Sequence, residues 1–318
     1  MGIKLSDFTI NGFDISEHQG IIDWSKVMCD FVAIRVGYGR VIDSQFERNW
    51  KSAKGKFKRV PYWYMDYYSN HISTSPVYGM SDVAWGIEQA VNCWNAIKDD
   101  MEGIVFLDIE SMTSKYAPKI EAVQNRVHKI ARAFLEEIDR LSGKRNGMYI
   151  AKNWLDWYPD WFRDRPLWVA WYVNRTANVG TMSIVQMVID KGWKTKPLFW
   201  QYASDGDVDD NGTSDGRSMG MKSTTLDLNG WVATQEEYMV WFGSTHDDEA
   251  VVIPPAAFTE RKVNVSSWSY LNIRVEPSNS GKVIGRYFRD APVNISSISN
   301  GWAKLYGQPG YISEKYLK

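Results

Sequence analysis

Eight short apolar runs recur along the first 235 residues, and nothing else in the chain constrains the fold as tightly. They are TINGFDIS, FVAIRVGYG, RVPYWYMDYY, GIVFLDIE, NGMYIAKNW, PLWVAWYV, PLFWQYA and TTLDLNGW. A strand wetted on one face alternates apolar and polar residues. These interiors are near-continuously apolar, as expected of strands covered on both faces. Helical periodicity lies between the earlier runs. Over 117–141 the residues Ile120, Val123, Val127, Ile130, Phe134, Ile138 and Leu141 recur at spacings of three and four, and Gly143 follows as a stop. Over 82–98 the stripe is Val83, Ile87, Val91 (or Ala90), Trp94 and Ile97, and 43–57 fits a third helix. Strands alternating with helices build parallel sheets, and about eight of them close into a barrel. After NGMYIAKNW the helical signal fades, so the last strands are expected to follow one another through loops. The fold class is therefore α/β, an irregular TIM-like barrel.

The chain is expected to divide into a first domain over 1–245, a linker over 246–260 and a small module over 261–318. The linker, HDDEAVVIPPAAFTE, has charge at its front, a Pro-Pro pair and no period. Beyond it come short alternating stretches and turn sequences such as PSNSG and SNG with no helical pattern. They read as an all-β module of ~60 residues, near the lower limit for independent folding. Net charge is −1 overall, which does not suggest a nucleic-acid partner. Its distribution is uneven. Residues 261–318 hold nine Lys or Arg against three acids, while 247–260 hold four acids and no base. A basic module beside an acidic body suits a polyanionic surface, although a solvated surface explains the same charges. Cys29 and Cys93 are the two cysteines, too few for a disulfide framework or a metal-ligand cluster. No run approaches the ~18 apolar residues of a membrane span. The start, MGIKLSDFTINGFDIS, lacks the apolar stretch of a signal peptide. If the protein acts outside a cell, something other than a standard export signal must release it, and no membrane insertion is expected.

Two acids end the run VFLDIE. In a strand, residues two apart share a face, so Asp108 and Glu110 project together. Two readings fit the pair alone: a strand exit with solvated acids, or part of an active site at the C-terminal mouth of a barrel. GFDIS ends on a third acid, Asp14, and LDLNGW carries a fourth, Asp227. In a closed barrel the first and last strands are neighbours, so all four acids ring one mouth. Crowded carboxylates raise the pKa of at least one of them, and a carboxyl protonated near neutrality serves as general acid on a glycosidic oxygen. Sixteen tryptophans and 17 tyrosines fit a sugar partner as well as a core. Tyr62, Tyr64, Tyr149, Trp168, Trp171, Tyr172, Trp200, Gln201 and Tyr202 all lie in or beside the predicted strands.

In order, GFDISEHQG, FVAIRVGYG, VFLDIE, LWVAWY, FWQYA and LDLNGW resemble the glycoside hydrolase family 25 lysozymes, the muramidases of phage endolysins and bacterial autolysins. The resemblance spans about residues 10–235 and, with no export signal in view, implies a phage endolysin held in the host cytoplasm until release and then acting on a Gram-positive wall, with a bacterial autolysin as the alternative. It implies a flattened (β/α)5β3 barrel and cleavage of the β-1,4 bond from N-acetylmuramic acid to N-acetylglucosamine in peptidoglycan, without a cofactor. It implies Glu110 as general acid/base, Asp108 as the acid that steadies a positively charged intermediate, and Asp14 and Asp227 as flanking acids. Tyr62, Tyr64, Tyr149, Trp171, Gln201 and Tyr202 become candidate sugar contacts. It favours a route in which the substrate's own 2-acetamido group is the nucleophile. Two departures concern the sugar groove: Trp63 stands where relatives often carry His, and the segment 203–224 is longer.

The tail, with Leu271, Asn272, Arg274, Pro277, Gly301, Trp302, Gly310, Tyr311 and the ending SEKYL, resembles bacterial SH3 (SH3b) modules. That implies an SH3-like barrel holding the enzyme on Gram-positive peptidoglycan, with Tyr270, Trp302 and Tyr311 as candidate contacts. A packing role for Trp302 fits equally. Asp207, Asp209, Asn211 and Gly212, with Asp215, copy the first half of a calcium loop. Ser218 stands where that loop needs its bidentate Glu, so a polar turn explains the same residues. Two other functions remain in view. One is a non-catalytic wall-binding protein. The other is a glycosidase of chitin-like glycans, weakened by Ile104 and Phe106 where such barrels carry further acids.

Overall fold

The computed structural model describes residues 3–112, 115–173, 180–242, 259–266, 269–305 and 310–318. The chain divides into two compact units, residues 1–245 and 246–318. The stretch expected to be a linker lies, up to residue 258, outside the described residues.

In chain order the first unit contains β1 (Asn11–Ile15), β2 (Phe31–Tyr38), β3 (Val41–Ile42), α1 (Phe46–Ala53), β4 (Lys58–Tyr64), α2 (Asp82–Ile97), β5 (Phe106–Ile109), α3 (Gln124–Ser142), β6 (Gly147–Ala151), β7 (Leu167–Ala170), α4 (Thr181–Asp190), β8 (Phe199–Ala203), β9 (Asp227–Trp231) and α5 (Gln235–Phe242). The strand order is β1-β9-β8-β7-β6-β5-β4-β2-β3, and β1 also pairs with β2. Eight strands thus close a barrel, with the β3 hairpin at its rim. Neighbours from β1 through β2 and β4 to β8 run parallel. β9 is antiparallel to both β8 and β1. Its first residue, not its last, therefore reaches the mouth where the parallel strands end.

The period of two sorts the side chains. Leu107, Ile109, Met148, Ile150, Val169 and Trp200 face the helices, while Phe31, Phe106, Trp168, Phe199 and Trp231 plug the barrel interior. The interior rings meet edge-on or tilted, with Phe199 4.9 Å from Phe31 and 5.0 Å from Trp231. So many rings leave little room. At Gly147 a Cβ would come within 2.6 Å of the Phe106 ring, so a side chain there would displace the plug. One layer higher, the same inward positions become polar, and that layer is the floor of the cleft.

Three helical expectations need correction. Val83 and Ile87, read as the inward stripe of α2, are 50% and 39% exposed; Trp85, Gly86, Gln89, Ala90, Cys93 and Ile97 are buried instead. This helix is apolar on two faces, and Gly86 decides between them. A Cβ there would sit 2.4 Å from the carbonyl oxygen of Ile130, so the glycine marks the seam with α3. The chain also forms α4 and α5 where only loops were expected. α4 buries just Ile184 and Val188, and α5 just Tyr238, too few to leave a clear 3.6-residue stripe.

The second unit has six antiparallel strands: β10 (Thr259–Lys262), β11 (Tyr270–Arg274), β12 (Val283–Phe288), β13 (Pro292–Ser299), β14 (Trp302–Leu305) and β15 (Tyr311–Ser313), in the order β10-β13-β14-β15-β11-β12. Val263, Leu271, Val293, Ile295, Ala303, Leu305 and Ile312 form its core.

Candidate active site

At the C-terminal mouth of the barrel lies a cleft of about 460 Å³. Asp14, Asp108, Glu110 and Asp227 all line it. Each arrives from a strand end. Asp14 is the fourth residue of β1, Asp108 the third of β5, Glu110 the first past β5, and Asp227 the first of β9. Asp14 and Asp227 stand opposite each other in the β1–β9 register. The barrel thus brings together all four acids that the sequence scattered.

Asp14 is clamped. Its Oδ2 accepts from Nε2 of Gln201 at 2.8 Å and from Nδ2 of Asn229 at 2.7 Å. Each amide is itself held in the donating orientation. The hydroxyls of Tyr149 and Tyr172 both donate to Oε1 of Gln201 at 2.7 Å. The indole N–H of Trp168 donates to Oδ1 of Asn229 at 2.8 Å. Two amides fixed by three aromatic donors hold Asp14 as an anion, and the neighbouring Asp227 carboxyl is hydrogen-bonded to it.

Burial then sets the proton inventory. Asp14 is pushed up to about 6 by burial, against the pull of Gln201, Asn229 and Asp227. Asp227 is pushed up to about 9 by burial and by the charges of Asp14 and Glu110, so it keeps its proton and donates it toward Asp14. Glu110 rises to about 7, first through burial and then through the Asp14 charge, while Arg35 pulls it back down. Asp108 is raised by burial and by repulsion from Glu110 and Asp14. The Asp108–Glu110 pair therefore holds a proton near neutrality and titrates as a unit. Oδ1 of Asp108 is buried in the cleft wall without a hydrogen-bond partner in the protein. A buried, unpaired carboxyl oxygen is costly unless a ligand N–H satisfies it.

Of the candidate sugar contacts, Tyr62, Tyr64, Tyr149 and Gln201 line the cleft. Trp171 lines an adjoining depression instead. Tyr202 is a correction. It is 2% exposed and lies on the helix-facing side of β8, stacked on Phe8 at 5.2 Å, because it is one residue along from Gln201, which faces in. Two residues that hold charge at the site escaped the sequence reading: Arg35, which lines the cleft and binds Asp43 at 2.8 Å and Glu17 at 3.1 Å, and Asn229, buried behind Asp14. The period of two that pairs Asp108 with Glu110 also puts Asn229 on the face of Asp227, and that signal was sufficient to find it.

Elsewhere, carboxylate oxygens of Asp207, Asp209 and Asp215 come within 4.8 Å of one another. Backbone N–H groups bond two of the three: Asn211 and Gly212 donate to Asp207, and Val208 donates to Asp215. The loop is closed by its own hydrogen bonds. Cys29 and Cys93 are free thiols, and burial pushes both up. In the second unit Trp302 and Tyr311 share the outer face of the β14–β15 pair, since Trp302 pairs with Ser313 and Lys304 with Tyr311. Tyr270 is 43% exposed, with the Arg286 guanidinium 4.1 Å from its ring centroid.

Residues 13–211 match the family model for glycosyl hydrolases family 25, and residues 269–318 match that for the bacterial SH3 domain. Among solved structures, the chain is similar to a family 25 glycosyl hydrolase from Bacillus anthracis: 19% identity, TM-score 0.53, covering 76% of this chain and 97% of that one. It is similar to the bacterial lysozyme from Streptomyces coelicolor at 18% identity and TM-score 0.51, covering 74% and 98%. It also resembles the modular autolysin LytC from Streptococcus pneumoniae, solved with a synthetic peptidoglycan ligand, at 20% identity and TM-score 0.50. That match covers 70% of this chain and 46% of LytC. At such identities the likeness speaks for the fold alone. No curated protein matches the sequence. Asp227 lies beyond the matched range, so its place beside Asp14 rests on the barrel register.

Proposed function

The chain belongs to glycosyl hydrolases family 25 and is a glycoside hydrolase with a bacterial SH3 domain, and from that premise we propose that it is a peptidoglycan muramidase. The proposed reaction is hydrolysis of the β-1,4 bond between N-acetylmuramic acid and N-acetylglucosamine. One observation carries the reading: Glu110 is a cleft carboxyl raised to about 7 beside Asp108, whose buried Oδ1 awaits a donor.

In the proposed mechanism Glu110 gives its proton to the glycosidic oxygen as the C1–O bond breaks. The carbonyl oxygen of the substrate's 2-acetamido group closes on C1 and forms an oxazolinium ion. Asp108 takes the acetamido N–H and, as its carboxylate, steadies the positive charge that develops there. Glu110, now ionised, removes a proton from water. That water opens the oxazolinium ring at C1, with retention of configuration. Asp14, held by its two amides, and Asp227, holding its proton, fix the charge around this dyad.

The second unit is the proposed wall anchor, with Tyr270, Trp302 and Tyr311 as contacts. Its positive charge suits the anionic polymers of a Gram-positive wall, and a wall-lytic enzyme of the endolysin or autolysin type combines both parts. Mass spectrometry of digested peptidoglycan tests the assignment. New muramic acid reducing ends are expected; new glucosamine reducing ends, or no cleavage, refute it.

A further inference from the structure

A second depression, of about 480 Å³, adjoins the cleft. Glu110, Tyr149 and Tyr172 line both. From Glu110 it runs across the ends of β6 and β7, and Lys152, Trp154 and Trp171 complete its wall. Each cavity falls in the size range of small-ligand sites. A glycan strand whose scissile oxygen lies at Glu110 must place one sugar on either side of that acid. The side with Asp108, Asp14 and Asp227 takes the sugar whose C1 reacts. The shelf takes the leaving group.

The two sides differ in charge. The cleft keeps negative charge on Asp14, Glu17 and the Asp108–Glu110 pair even with Asp227 protonated, and its guanidinium, Arg35, is already bonded to Glu17 and Asp43. The shelf carries a single cation other than these. The ammonium of Lys152 sits 3.9 Å from the centroid of the Trp171 ring. Among the described residues it has no carboxylate partner. A ring face holds the ammonium in place without neutralising it. An anionic group on the substrate is repelled along the cleft and attracted at the shelf.

We propose that this shelf receives the leaving-group side of the strand and that Lys152 there binds a carboxylate carried by the second sugar past the scissile bond, a muramic acid, since the first, N-acetylglucosamine, carries none. The proposal rests on the muramidase reading above. Two sources share this chemistry: the free lactyl carboxylate of a peptide-stripped strand and the carboxylates of an attached stem peptide.

The test compares wild type, Lys152→Met and Lys152→Arg on three substrates. They are soluble intact peptidoglycan fragments, amidase-stripped strands, and stripped strands whose lactyl carboxylates have been capped as methyl amides. On the carboxylate-bearing substrates Lys152→Met is expected to raise KM about three- to tenfold, with a smaller change in kcat, while Lys152→Arg restores most of the loss. The capped strands should show no such rise. Loss on intact fragments alone identifies the stem peptide; loss on stripped strands identifies the lactyl group. Burial and the Asp14 charge raise Glu110 while Arg35 pulls it down, so the alkaline limb of the pH profile should not move. An unchanged KM on both charged substrates, or an equal rise on capped strands, overturns the proposal. Wild type that cleaves none of the three fails the muramidase reading instead. In that event, weaker binding of stripped strands by Lys152→Met than by wild type still decides the role of Lys152.

Discussion

Replacing Glu110 with Gln should abolish lysis and at the same time stabilise the fold, by an amount that depends on pH. The Glu110 carboxyl ionises near 4.5 in an unfolded chain and at about 7 in the cleft. Each unit corresponds to ~1.4 kcal/mol, so forcing the charge into the folded cleft costs about 3 kcal/mol, or roughly 2 kcal/mol after discounting for residual solvent access. Because the folded pKa lies above the unfolded one, the cost is absent below pH ~4.5, grows from there to about pH 7, and is complete above it. Gln carries no charge at any pH. Glu110→Gln should therefore melt roughly 4–10 °C above wild type at pH 8 and within a degree or two of it at pH 4. Tryptophan fluorescence is a suitable probe, since only Trp268 and Trp302 of the 16 tryptophans lie in the second unit. Turbidity of purified walls gives the activity arm, with pelleting as the check that binding persists. A melting difference equal at both pH values would refute the electrostatic account. Near-wild-type clearing by the variant would refute the proton-donor role.

Three other outcomes follow from the same geometry. Lysis by wild type should decline as pH rises through about 7, because Glu110 must enter the reaction protonated and its proton is lost there; a rate profile flat from pH 6 to 8.5 contradicts this. Asn229→Leu removes one of the two amide donors to Asp14, so the Asp14 pKa should rise, the acid limb of the profile should move to higher pH, and kcat should drop roughly ten- to a hundredfold. A uniform loss with an unmoved acid limb would indicate a packing role only. Removing 261–318 should lower wall pelleting yet leave cleavage of soluble glycan fragments intact, and unchanged pelleting would count against the second unit as an anchor.

Much of the architecture was legible because burial on both faces leaves a plain mark: eight apolar runs for eight barrel strands, with a strong stripe for α3. The same mark hides the facing of individual residues. In FWQYA no polar alternation says whether Gln201 or Tyr202 turns inward, and only the observed barrel puts Gln201 against Asp14 and Tyr202 against Phe8. α4 and α5 bury too few side chains to announce themselves. Arg35 looked like an isolated polar residue until closure surrounded it with acids.

By itself the sequence determined which residues end the strands, and so which carboxyls were available at a mouth. Only the tertiary structure decided their chemistry. The reversed direction of β9 sets Asp227 against Asp14 and brings Asn229 to bond a residue 215 positions away. Packing around those contacts excludes water, and that loss of solvation is the largest of the forces lifting Glu110 to about 7. Desolvation belongs to a closed surface, and no local stretch of chain encodes it.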